Sequence, residues 1–503
     1  MSDGCQAIVA SGHPLVNDAA ATIIRQGGNA FDAVVAAGFA GAVAEPALTS
    51  LGGGGFLLAR TREGRATLFD FFVDTPGRGG DAVDIEPHFF PVTVNFSGSA
   101  QEFHVGHGSV AVPGTMKGLL HIHHRLGRMP LDEVVRPAVE LARAGIVVNS
   151  QQAYFLGLLQ PIMTLTATGR ALFAPDGAYL TAGTRFSNSD LADFMEQLPH
   201  DHGESFYNGE LAETIAADMT ARQGLLTTAD LSGYGVIERP PLAVSYRGRK
   251  LLTNPPPSFG GHLIARALRL LEQFDLTAAG WGTADHVIPL AAAMVEVERR
   301  RTADADNSTP PEDWYAAAGH RIRTFTRGTT HVSVVDDQGN VAAMTTSNGE
   351  GSGYIVPGTG IMLNNMMGED DLHPEGFHAT PPGLRVASMM APSLLLGDEG
   401  VELVLGSGGS KRIRTAITQV INNVVDFNFD IRTAVEAPRL HWDGESMQVE
   451  PGFPEATVNR LAAHWPVNVW PEREVYFGGV HAVVPGCDGA GDSRRGGCHL
   501  RII

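Results

Sequence analysis

The spacing of hydrophobic and polar positions changes several times along the 503-residue chain, and each change marks an element. From Leu15 to Arg25 the residues Asn17-Asp18-Ala19-Ala20-Ala21-Thr22-Ile23-Ile24 predict a helix, which Gly27-Gly28 stops. A second helix restarts at Asn29-Ala30-Phe31-Asp32. It is so rich in Ala and Gly through Ala44 that its backbone must pack very close to something. Leu51-Gly52-Gly53-Gly54-Gly55-Phe56-Leu57-Leu58 runs four glycines into an apolar strand. They permit positive φ and close backbone approach, for a tight turn alone or for a turn beneath a site. Ala66 to Val73 alternates as a strand, and Ser109 to Thr115 reads as a strand ending at Pro113-Gly114. Met129-Pro130-Leu131-Asp132-Glu133 opens a helix towards Arg143, with Pro at its start and acids in its first turn. Asn254 to Gly261 is a rigid turn ahead of an apolar helix from Leu263 to Phe274, and helical propensity persists to about Arg301.

Between Thr302 and Gly328 the pattern lapses. Asp304-Ala-Asp306-Asn307-Ser308-Thr309-Pro310-Pro311 predicts an exposed, poorly ordered segment that tolerates chain cleavage. Strands dominate afterwards. Val332 to Asp336, a turn at Asp337-Gln338-Gly339-Asn340, and Val341 to Thr346 form a β-hairpin. Leu394-Leu395-Leu396 and Val401 to Leu405 make a further strand pair. That pair ends in Gly406-Ser407-Gly408-Gly409-Ser410-Lys411-Arg412, where a helix from about Ile413 to Val425 begins.

Composition narrows the class. A 43% hydrophobic and 18% charged content belongs to a soluble globular protein with ample core, and length alone suggests about three domains. The net charge of −19 disfavours nucleic acid and anionic membranes as partners. Three cysteines, Cys5, Cys487 and Cys498, are too few for a disulfide framework, and no apolar run reaches membrane-spanning length. Met1-Ser-Asp-Gly-Cys lacks the basic and apolar segments of a secretory signal, so a cytoplasmic protein is expected.

Two stretches carry candidate chemistry. In Arg327-Gly328-Thr329-Thr330-His331 a small residue and two hydroxyl residues lead into a strand. A Thr hydroxyl needs a base, and cutting the chain before Thr329 supplies one: its own α-amine, with a reference pKa of about 7.7–8.0. Thr-Thr before a strand is also ordinary sheet composition. The second stretch, Gly406 to Arg412, joins a strand to a helix N-terminus and presents backbone N–H groups to an anion. It reads as an oxyanion hole, as a phosphate loop lacking the GxxxxGK[ST] spacing, or as a plain helix start. His121, His123 and His124 invite a metal, but their spacing turns them apart and no HExxH or Cys partner accompanies them.

The chain resembles the γ-glutamyltranspeptidase family of N-terminal nucleophile hydrolases over nearly its whole length. The resemblance is carried by Gly27-Gly-Asn-Ala-Phe-Asp-Ala33, Gly52-Gly-Gly-Gly-Phe56, Val112-Pro-Gly-Thr115, Pro255-Pro-Pro-Ser258, Thr329-Thr-His331, Leu363-Asn-Asn365, Gly406-Ser-Gly-Gly-Ser410 and Ala437-Pro-Arg439. It implies an α/β fold, the αββα sandwich of two stacked, mostly antiparallel sheets flanked by helices. It also implies self-cleavage between Gly328 and Thr329 into a large-subunit region, 1–328, and a small-subunit region, 329–503, held as a heterodimer. By the same resemblance Thr329 attacks a small-molecule amide, Gly408 and Gly409 hold the oxyanion, and water or an amine resolves the acyl-enzyme. No cofactor or metal is required by that mechanism.

Departures from the family pattern fall in two places. Ser347 stands where a supporting threonine is expected, 18 residues after the nucleophile, and keeps the hydroxyl. The substrate wall changes more. Phe72 follows Asp70-Phe71 where the family has a carboxylate-binding arginine, and Ser388-Met389 replaces a pair of serines. Met366 replaces a glutamine, while the acids Glu369, Asp370 and Asp371 could still offer a carboxylate to a substrate amine, and Asn348 is a further substrate-binding candidate. An intact nucleophile with altered γ-glutamyl recognition follows, unless Arg385, Arg60 or Arg78 replaces the lost arginine. Alternatives from other classes are a non-processing, ligand-binding relative and a phosphate- or nucleotide-binding protein using Gly406 to Arg412.

Overall fold

The computed structural model describes residues 4–79, 86–95, 100–304, 328–369, 372–373, 376–486 and 488–503. The segment predicted to be exposed after Asp304, together with Asp370, Asp371 and Cys487, lies outside the described residues.

Two antiparallel sheets stack at the centre. The first has seven strands in the order Cys498–Ile502, Ala7–Ser11, Thr330–Asp336, Val341–Ser347, Gly54–Arg60, Ala66–Phe71, Ile237–Arg239. The second has six, in the order Asp488–Gly491, Gly479–Val484, Gly400–Gly408, Ser393–Gly397, Arg249–Thr253, Leu242–Tyr246. Helices Pro14–Arg25, Ala30–Ala44 and Thr115–Leu126 cover the first sheet, and helices Gly260–Leu271 and Arg412–Phe427 cover the second. This is the αββα sandwich expected from the resemblance.

The strand Thr330–Asp336 is buried along its entire length and divides its side chains strictly by parity. Val332 and Val334 join the core under the first helices, while Val335 joins the core between and beyond the sheets. Neighbouring strands follow suit: Leu57 and Ala59 face one way, Phe56 and Leu58 the other. A strand buried on both faces loses the hydrophobic-in, polar-out alternation that identifies sheets from sequence. The helix Ala30–Ala44 is buried at every residue. Its Ala and Gly content lets the backbone settle on the sheet, and Gly38 shows the fit, since a Cβ there would lie 2.6 Å from Leu119 Cδ2.

Some expected elements take another form. Ser109 to Thr115 is not a strand: His107–Ser109 is a 3₁₀ turn, and Val112 makes only an isolated bridge to Asp74 because Pro113 cannot extend a ladder. The helix expected to reach Phe274 ends at Leu271, and the propensity to Arg301 resolves into Leu276–Ala279 and Ala284–Asp304, separated at Gly280 and Gly282. None of the four glycines from Gly52 to Gly55 adopts positive φ. They serve close approach instead, for a Cβ on Gly53 would lie 2.2 Å from the Ser347 carbonyl oxygen and one on Gly55 2.4 Å from that of Thr345. Among the described residues, no helix is long and apolar enough to cross a membrane.

Candidate active site

The hairpin Thr330–Asp336 and Val341–Ser347 pairs Thr330 with Thr346, which sets Ser347 beside Thr329 at the open end of the first sheet. Both are buried, 4% and 3% exposed. The Thr329 hydroxyl donates to Ser347 Oγ at 3.4 Å, and Ser347 Oγ in turn donates to the carbonyl of Gly328. One hydroxyl therefore touches both sides of the peptide between Gly328 and Thr329. Ser347 Oγ also accepts from Gly349 N at 3.0 Å, which fixes its orientation. Gly328 has no room to be anything larger, since a Cβ would meet the carbonyls of Gly349 at 2.4 Å and Ala47 at 2.7 Å.

Beneath this point the second sheet supplies its glycines. Gly408 ends the strand Gly400–Gly408 so close to Thr329 that a Cβ would lie 2.2 Å from the Thr329 carbonyl oxygen. Gly409 turns with φ of 124° and packs on Gly478, and the helix Arg412–Phe427 follows. The Gly406-to-Arg412 loop is thus packed under Thr329 rather than opened as a phosphate cradle, and Arg412 Nε is committed to the Tyr476 carbonyl at 2.9 Å. Between the sheets, Ser333 Oγ donates to the His481 carbonyl at 3.1 Å. It is therefore free to accept from His331 Nε2 at 2.9 Å, leaving Nδ1 to accept from Thr345 Oγ1 at 2.8 Å. Burial holds the His331 pKa well below its ordinary value, so it is a neutral spacer within the strand that follows Thr329.

A cleft opens over Thr329 and Ser347. Its walls are Phe72, Met366, Leu372, Met389, Met390 and Ile413, with Glu369, Ser388 and Ser410 as polar points. Phe72 stacks on Phe56 with ring centroids 5.4 Å apart. Met389 packs on Leu263, Ala267 and Val297. Ser388 Oγ accepts from Met390 N at 3.2 Å, while its carbonyl receives Phe259 N at 2.8 Å. Among the described residues lining the cleft, none is Arg or Lys.

The three arginines considered as replacements have other work or another place. Arg385 donates to the carbonyls of Phe72 at 2.6 Å, Gly235 at 2.7 Å and Asp70 at 3.1 Å, and pairs with the carboxylates of Asp70 and Asp74 at 3.1 and 2.8 Å. Arg78 bonds the carbonyls of Gly233 and Gly383. Arg60 pairs with Ala66 and Val341 at the far end of its strand, away from Gly54 and Ser347.

Of the residues singled out from sequence, Thr329, Ser347, Phe72, Ser388, Met389 and Glu369 meet at the cleft, with Gly408 beneath them. Asn348 does not line it. Its backbone N–H donates to Leu48 O at 3.3 Å and its carbonyl accepts from Gly351 N at 3.1 Å, so it shapes the turn after Ser347. Asp370 lies outside the described residues. Asn364 and Asn365 are spent on backbone and on Glu350: Asn364 Nδ2 bonds Gly52 O at 2.9 Å, and Asn365 Nδ2 bonds Glu350 Oε2 at 3.3 Å. His121 pairs with Glu238 at 3.0 Å, and His123 Nε2 bonds the Met129 carbonyl at 2.8 Å. Two residues that the sequence reading passed over hold the start of the strand at Thr329 and Thr330. Glu45 accepts from Thr330 Oγ1, and Arg495 Nη1 donates to the Thr329 carbonyl at 3.3 Å. An acid at the end of an Ala-rich helix, against the helix dipole, was the available signal for Glu45.

Two antiparallel sheets between helices, with a buried hydroxyl residue at the head of a central strand and a hydroxyl partner on its peptide bond, define the N-terminal nucleophile hydrolase class. The γ-glutamyltranspeptidase family model matches residues 17–317 and 295–501. The chain is 32% identical to the glutathione hydrolase proenzyme of Escherichia coli K12, over 91% of this chain and 85% of that protein. It is 33% identical to the acylase ACY 1 proenzyme of Pseudomonas sp. V22, over 97% and 91%. It superposes on the cephalosporin acylase of Bacillus halodurans with a TM-score of 0.81, covering 99% and 96% of the two chains at 24% identity, a likeness of fold. The protein belongs to the γ-glutamyltranspeptidase family.

Proposed function

We propose that the chain cuts itself between Gly328 and Thr329 and then works as an amide hydrolase or acyltransferase through an acyl-enzyme on Thr329. The observation that carries this reading is the Ser347 hydroxyl, which touches the Gly328 carbonyl and the Thr329 hydroxyl at once. Donation to the carbonyl polarises it while the neighbouring hydroxyl is held for attack. After the N-to-O acyl shift and hydrolysis, Gly328 leaves as a carboxylate and Thr329 keeps a free α-amine. That amine then takes the proton of its own hydroxyl as the hydroxyl attacks a substrate carbonyl. The Gly408 and Gly409 N–H groups are assigned to the oxyanion, and water or an amine releases the acyl group. The product of self-cleavage is a heterodimer of 1–328 and 329–503.

The acyl group is read from the cleft. A glutamyl α-carboxylate placed against Phe72 and Met389 would be desolvated without a cation, a penalty of several kcal/mol. Arg385 supports rather than replaces recognition, because its guanidinium holds the Phe72 carbonyl from behind. The preferred acyl group is therefore more apolar than glutamyl, with Glu369 placed for an amine or hydroxyl on the substrate.

Intact mass and N-terminal sequencing of the purified protein, beside Thr329→Ala, test the first half. Two fragments, the smaller starting at Thr329 and absent in the variant, are expected. A single uncut chain in both would overturn the mechanism and leave a ligand-binding relative. A panel of γ-glutamyl-, hexanoyl- and phenylacetyl-p-nitroanilides tests the second half. Higher kcat/KM on the two apolar acyl groups is expected, and a preference for γ-glutamyl would refute it.

A further inference from the structure

Thr330 follows the nucleophile and, by strand alternation, turns its side chain away from the cleft towards the helix Ala30–Ala44. There its hydroxyl meets both oxygens of the Glu45 carboxyl, at 3.0 and 3.2 Å. Glu45 is 0% exposed and caps the C-terminus of that helix, where the dipole disfavours a carboxylate. A cation suits such a position better. A residue that breaks a local rule deep in a well-packed core points to a service other than stability.

Every element around Glu45 makes room for it or answers it. Gly12, just beyond the strand Ala7–Ser11, would place a Cβ 2.4 Å from Glu45 Oε1, so any larger residue there would push the carboxyl from its place. Arg495 supplies the opposite charge and donates to the Thr329 carbonyl at 3.3 Å, and the thiol of Cys498, on the edge strand, has its pKa raised by burial first and by the Glu45 carboxylate second. The nucleophile and its neighbour are gripped from below at two points, the carbonyl of one and the hydroxyl of the other.

We propose that Glu45 is a positioning residue for Thr329. Through the Thr330 hydroxyl it fixes the start of the nucleophile strand and so the direction in which Thr329 presents its own hydroxyl. That direction serves the Gly328 carbonyl during self-cleavage and a substrate amide afterwards. The inference rests on the reading of Thr329 as nucleophile.

Six forms of the full chain test it: wild type, Glu45→Ala, Glu45→Gln, Thr330→Val, Thr330→Ser and the Glu45→Ala/Thr330→Val double variant. The readouts are the self-cleavage rate by intact mass, kcat and KM on hexanoyl-p-nitroanilide, and the melting temperature. Glu45→Ala and Thr330→Val are each expected to slow cleavage and kcat by about tenfold to a hundredfold with KM within about twofold, the signature of a misaimed group. The double variant is expected to be no slower than the worse single one, because both remove the same contact. Glu45→Gln and Thr330→Ser keep acceptor and hydroxyl and are expected to recover most of both rates. If Glu45→Ala does not fold, the near-isosteric Thr330→Val carries the test. Lower melting temperatures with both rates within about twofold of wild type, or multiplying losses in the double variant, would overturn the proposal. A wild-type chain that never cleaves would instead remove the nucleophile reading itself.

Discussion

The floor of the cleft and its wall are built by opposite rules. The floor is polar and closely fitted: Thr329 bonds Ser347, Thr330 bonds Glu45 on the far side of the strand, and Gly53, Gly328 and Gly408 leave no space for a side chain. It is assembled from strands at the centre of the first sheet and the end of one strand of the second. The wall is apolar and comes from the loops and turns that carry Phe72, Met366, Leu372, Met389 and Met390. On the proposed function, the floor should tolerate almost no change of volume or hydrogen bonding, whereas a wall of loop residues can be exchanged to admit another acyl group. The names glutathione hydrolase and acylase both occur among relatives of similar identity.

The largest effect expected from breaking the floor is that of Thr329→Ala, which should reduce turnover by about 10³-fold or more, measured on mature subunits recombined from separate 1–328 and 329–503 chains so that cleavage is not limiting. Ser347→Ala comes next: the Gly328 carbonyl loses its donor, and self-cleavage should slow by about a hundredfold, with Ser347→Thr restoring it. Changes to the wall should leave cleavage intact and move selectivity. Phe72→Arg combined with Met389→Ser should raise kcat/KM for γ-glutamyl-p-nitroanilide relative to the hexanoyl compound by at least about tenfold. If that variant instead loses self-cleavage, floor and wall are not separable.

The smallest effect is a pH slope. Burial pushes the Glu45 carboxyl up from 4.5 to about 7. The folded state therefore binds more protons than the unfolded state between those values. This contribution to stability is fully present below pH 4.5 and is lost as pH rises through about 7. Buried histidines work the other way: burial lowers His331, and it takes His481 down to about 4, so their contribution is present above 6.5 and lost as pH falls. Comparing Glu45→Gln with wild type isolates the first slope. Wild type should lose on the order of 3 kcal/mol more than the variant between pH 4.5 and 8, read by urea unfolding at each pH, and equal slopes would place the proton elsewhere.

Much of the architecture was legible along the chain. The turn chemistry of Asp337 to Asn340 between two β-branched runs predicted the central hairpin, and it lies where expected. Asn29 with Asp32 forms a full capping box at the start of the Ala-rich helix. The glycines before Phe56 were recognised as unusual, yet their reason was legible only in part. Close approach and positive φ leave the same mark in a sequence, and only the position of the Ser347 carbonyl decides between them. Asn348 was misplaced for a related reason: adjacency to Ser347 in sequence says nothing about which side of a turn a residue faces.

The sequence by itself determined most of the stretches that become strands and helices, through periodicity and capping, and that one hydroxyl residue after a glycine heads a strand. Those properties depend on neighbours within a few residues. Tertiary structure decided which polar groups meet Thr329 and Thr330. Glu45 and Arg495 come from opposite ends of the chain, and neither their charge nor their pKa is unusual until burial removes the water. The same holds for the wall, because whether Arg385 faces a substrate carboxylate or the back of Phe72 is set by the carbonyls and carboxylates that the fold brings around its guanidinium.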